Sequence, residues 1–95
     1  MKRKIFFFNN TCSPKFIHLY STTNNQQYNF DDLDIDLNIE IDKHSDSKIT
    51  IETENVLFFT VLNKSHIYKL DMFTNSISFE NDIIKFFTIP GINYL

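Results

Sequence analysis

The stretch DDLDIDLNIEID, residues 31–42, interleaves apolar Leu33, Ile35, Leu37, Ile39 and Ile41 with Asp32, Asp34, Asp36, Asn38, Glu40 and Asp42. At the helical period these two sets scatter round the cylinder and leave no apolar face. On a pleated strand every apolar side chain points one way and every polar one the other. The stretch is therefore read as a strand, with one face for a core and one for water.

The same period continues on both sides. KIFFFN (4–9) and KFIHLYS (15–21) read as strands joined across Ser13-Pro14, followed by a polar loop, STTNNQQYN, over 21–29. Further strands are expected at 32–42, 47–54, 56–63 and 66–73, with a weaker one at 76–80. At the end, Phe79, Ile83, Phe86 and Phe87 fit one face of a short helix, but a buried strand over 83–89, stopped by Pro90-Gly91, is preferred. Short polar gaps between the strands argue for antiparallel neighbours. The expected fold is mainly β: a single small antiparallel domain over 1–95, as a meander, sandwich or partial barrel, with at most one short C-terminal helix. Consecutive apolar residues in IFFF, VLFF and IIKFF face both sides of their strands, so a second layer or a homodimer is needed to cover them.

A hairpin of 32–42 with 47–54 is expected to place Ile41 opposite Ile49, Ile39 opposite Ile51 and Leu37 opposite Thr53. Its other face then pairs Asp42 with Lys48, Glu40 with Thr50, Asn38 with Glu52 and Asp36 with Glu54. Carboxylates about 6.7 Å apart repel by roughly 0.6 kcal/mol in water and about 2.5 kcal/mol at an effective dielectric of 20. Such a face must be wet.

Charge is unevenly spread. Residues 31–54 hold nine acidic side chains against Lys43 and Lys48, while the rest of the chain is net basic. Asp34-x-Asp36-x-Asn38 has the opening spacing of a calcium loop, but Ile39 and Ser45 stand where that loop needs glycine and glutamate. No metal and no cofactor is expected. Cys12 is the only cysteine and lacks a neighbouring base; His18, His44 and His66 lie far apart. Gly91, the only glycine, excludes glycine-rich phosphate loops. Catalysis has no motif here.

The apolar run 5–8 is too short for a signal peptide or a membrane span, and a lone cysteine fits a reducing compartment, so a cytoplasmic location away from membranes is expected. Abundant Ile, Asn, Lys and Phe point to AT-rich coding sequence, as in phages and mobile elements. The functional expectation is a non-enzymatic inhibitor or antagonist, as phage antagonists and immunity proteins are. Its partner-binding residues would be Asp32, Asp34, Asp36, Glu40, Asp42, Glu52 and Glu54, docking on the basic, nucleic-acid-binding surface of a larger protein. The acidic face would not itself bind nucleic acid. The alternatives are a structural or oligomerisation module whose acidic face is merely solvated, and a small-ligand-binding β protein.

Overall fold

The computed structural model describes residues 2–22, 33–81 and 83–88. Among them are eight strands and no helix: β1 (Lys2–Asn9), β2 (Lys15–Thr22), β3 (Leu33–Ile41), β4 (Ser45–Glu52), β5 (Leu57–Val61), β6 (Tyr68–Leu70), β7 (Thr74–Glu80) and β8 (Ile83–Thr88). The segment 83–88 is thus a strand, and the helical alternative does not form. Sheet one has the order β4-β1-β7-β8 and sheet two the order β3-β2-β5-β6. All neighbours are antiparallel except β1 and β7, a parallel pair with Phe6 opposite Ser76.

Alternation along the strands builds one core between the sheets. Ile5 and Phe7 from β1, Ile77 and Phe79 from β7, Ile17 and Leu19 from β2, and Leu57 and Phe59 from β5 are all buried in it. Phe7 and Phe59 meet edge to face with ring centroids 5.9 Å apart, and Phe59 meets Phe79 the same way at 6.5 Å. Phe6 and Phe8 point outward from the same strand, half-buried, with their rings stacked at 6.4 Å.

The expected hairpin of 32–42 with 47–54 does not exist. Ile39 pairs with Ile17 and Leu37 with Leu19 on β2, whereas Ile49 pairs with Ile5 and Ile51 with Arg3 on β1. The short connection at 42–44 crosses from one sheet to the other. A shared hairpin would set both apolar rows on one face, still needing a cover; the crossing turns the two rows toward each other. Connections 10–14, 53–56 and 71–73 also cross, while β5–β6 and β7–β8 are true hairpins.

Polar side chains tie these crossings at both ends. Fully buried Asn9 donates through Nδ2 to the carbonyls of Ser13 (2.9 Å), Ile41 (3.1 Å) and Asp42 (3.0 Å). Its Oδ1 accepts from the Thr11 amide (3.1 Å) and hydroxyl (2.6 Å). At the other end, buried Arg3 donates through Nη2 to the carbonyls of Asp71 and Thr74. Burial lowers the Arg3 pKa, and the Asp71 charge partly offsets this. With no glycine among the described residues, His44, Asn63 and Asn81 supply the positive φ angles that turns need, at 53°, 69° and 49°. All three lie at the Asn9 end.

Candidate functional site

β3 lies at the edge of sheet two, so its polar row looks outward beside the outward row of β2. The register sets Glu40 opposite Phe16, Asn38 opposite His18 and Asp36 opposite Tyr20. His18 Nε2 and Asp36 Oδ1 are 2.6 Å apart, and this ion pair or hydrogen bond spans the two strands. Rings continue the row across the sheet: His18 stacks on Tyr20 at 5.0 Å, and Tyr20 on Phe58 at 5.6 Å. Toward the Asn9 end the face opens into a groove of about 690 Å³ whose lining includes Phe16, His18, Asn38, Glu40, Thr60 and Leu62. Phe16 and Leu62 are exposed there at 41% and 61%.

The carboxylates expected to act together are distributed over both sheets and two of the crossings between them. Asp36 and Glu40 share the groove side of sheet two. Asp34 is on the same strand, but its Oδ2 accepts from Thr53 Oγ1 (2.8 Å) and Asn55 Nδ2 (3.1 Å), tying β3 to the 53–56 crossing. Asp42 belongs to the 42–44 crossing, where its carbonyl serves Asn9. Glu52 is on the outer face of sheet one, opposite Lys2, and Glu54 follows it in the 53–56 crossing. Asp32 lies outside the described residues. The opposition of Asp36 and Glu54 disappears with the hairpin.

Sequence reasoning missed Phe16, Tyr20, Phe58 and Leu62 as parts of this face. Alternation within KFIHLYS could have found Phe16, His18 and Tyr20, which share one side of that strand. Leu62 sits beyond β5, placed by a hydrogen bond from its amide to the Phe16 carbonyl at 2.9 Å, and no local pattern signals that. His44 is exposed in its turn, Cys12 is an exposed free thiol, and His66 meets Tyr68 edge to face at 4.5 Å. No group of three or more His, Cys, Asp or Glu side chains suited to a metal ion occurs among the described residues, and no helix there is long and apolar enough to cross a membrane.

Comparison with known proteins gives no match to a family model, a curated protein or a solved structure.

Proposed function

We propose that the protein works by binding another macromolecule, presenting the groove side of sheet two to a basic surface on a partner protein. One observation carries this reading: exposed Glu40, Phe16 and Leu62 line a single groove, and exposed Asp36 continues the same face of the strand beside His18. Carboxylates give orientation and steering, and adjacent apolar surface gives affinity on desolvation. In its specific form the protein is an antagonist that occupies a nucleic-acid-binding surface. Asp36 and Glu40, four residues and so about 13 Å apart along the strand, then stand in for phosphates.

The competing reading is a solvated row that keeps an edge from pairing, and the position of β3 at a sheet edge favours it. A pull-down from the source cells followed by charge reversal separates the two. Asp36→Lys with Glu40→Lys should weaken partner binding at least tenfold, and the wild-type association rate should fall as salt passes about 0.15 M. Glu52→Lys with Glu54→Lys, the same charge change away from the groove, is the control. Equal losses from both pairs, or an association indifferent to salt, would reject the docking face. Intact binding in the first pair, with new aggregation in Asp36→Val with Glu40→Val, would establish edge protection.

A further inference from the structure

We propose a second site, adjoining the acidic groove through Val61 and Lys64: a cavity of about 210 Å³ at the Asn9 end of the sandwich that binds a small organic carboxylate with an apolar body. Its apolar lining includes Val61 from sheet two and Phe79 and Ile84 from sheet one, all three of them core or core-packed residues. Lys15, Lys64, Tyr68 and Asn81 also line it.

Lys15 is the telling residue. It occupies the core-facing register of β2, in line with Ile17 and Leu19 and opposite Ile41, and it is half-buried. A lysine brought toward a core loses hydration and ordinarily gains a carboxylate in exchange. The ion pairs among the described residues are His18 with Asp36 and Lys85 with Glu80, so neither Lys15 nor Lys64 has a carboxylate partner among those residues. Among the described residues no acidic one lines the cavity; Glu40 lines the neighbouring groove, which Lys64 also borders. Two ammonium groups with no carboxylate partner among the described residues, beside a low-dielectric wall, concentrate positive potential on one spot.

The remaining lining sets the ligand class. The Tyr68 hydroxyl and Asn81 amide add donors for an anionic head, while Val61, Phe79 and Ile84 offer nothing to a fully hydrated ion. A volume of about seven waters admits a carboxylate with a short hydrocarbon body and excludes a nucleotide or a whole lipid. Inorganic phosphate would leave the apolar wall wet, and a neutral alcohol would leave both lysines uncompensated.

The test is a titration of the isotope-labelled full chain, followed by amide resonances, with octanoate, 1-octanol and inorganic phosphate as separate probes. Octanoate should perturb Val61, Lys64, Asn81 and Ile84 saturably and bind at least tenfold more tightly than either other probe. Lys15→Met with Lys64→Gln should weaken octanoate at least tenfold. Lys64→Gln alone, a change at an exposed position, should weaken it severalfold and keeps the test decisive if the double variant misfolds. Octanol binding as tightly as octanoate, phosphate doing so, perturbations confined to other residues, or unchanged affinity in a folded variant would each overturn the site.

Discussion

Asn9 joins three segments through its side chain, its own strand's exit at 11–13, the end of β3 and the crossing into β4, adding to the His44 amide's hydrogen bond to the Thr11 carbonyl (3.2 Å). Its two amide protons are shared among three carbonyls, and removing them strands acceptors that are wholly or partly shielded from water. Asn9→Ala should therefore cost about 3 kcal/mol and lower the melting temperature by roughly 10 °C or more. Urea unfolding of the two proteins measures this, and a loss below about 0.5 kcal/mol would remove Asn9 from the account. At the opposite end Asp71 organises the 71–73 crossing through its Oδ1, which accepts from the amides of Phe73 (2.9 Å) and Thr74 (2.8 Å) and from the Thr74 hydroxyl (2.9 Å). The Phe73 amide contributes most to holding its pKa below the ordinary carboxylate range; both Thr74 groups and the Arg3 charge lower it further, against a small opposing effect of burial. A depressed folded-state pKa means that the stabilisation is complete above the unfolded value, about 3.9, and is lost as pH falls through the folded one. Asp71→Asn should thus lower stability at pH 7 and flatten the decline below about pH 4. Parallel acid limbs for the two proteins would contradict this.

At the level of strands, the four edges are protected unequally. β3 carries Asp34, Asp36 and Glu40; β4 carries Asp46, Lys48 and Glu52; β6 has only three residues. β8 reads IIKFFT, with Ile83, Phe86 and Phe87 exposed at 59%, 41% and 47%. Edges are kept soluble by charge or brevity, and β8 has one lysine, already paired with Glu80 at 2.8 Å. Phe87→Lys, on the outward row, should reduce concentration-dependent association in light scattering while changing stability by less than about 0.5 kcal/mol. The existence of these strands was legible because one period, two residues, recurs wherever one face is buried. Their partners were not. A short polar gap such as 42–44 serves a hairpin or a crossing between sheets equally well, and only the demand of two apolar rows for each other decides between them. The acidic residues inherited that ambiguity: Asp36 and Glu40 were correctly placed on one wet face of a strand, but Glu52 went with β4 to the other sheet. Asp34 gave no sign that Thr53 and Asn55 would claim it, since that contact exists only once 53–56 crosses beside β3.

Seen whole, the molecule has two outer faces of different character. Sheet one mixes Lys2, Lys4, Lys48 and Lys85 with Asp46, Glu52 and Glu80. Sheet two gathers its carboxylates along β3 and its rings beside them. The acidic segment of the sequence is thus divided in space, with three of its carboxylates on β3 and two on β4 in the other sheet. The parallel pairing of β1 with β7 has a consequence in time. β1 is an inner strand of sheet one, yet one of its two neighbours comes from the far part of the chain, Phe6 meeting Ser76. A growing or refolding polypeptide can join β1 to β4 early, but one side of the KIFFFN ribbon must wait until 74–80 arrives. Loop closure over that span is costly, and contacts so distant in sequence place folding in the range of about milliseconds to seconds. Stopped-flow refolding should show such a phase, and microsecond folding would contradict the topology. During the wait the open side of β1 is free to capture the equivalent strand of another nascent chain. Yield on refolding should therefore fall as protein concentration rises, even though the finished fold flanks that strand with β4 along its length and with β7 over residues 6–9.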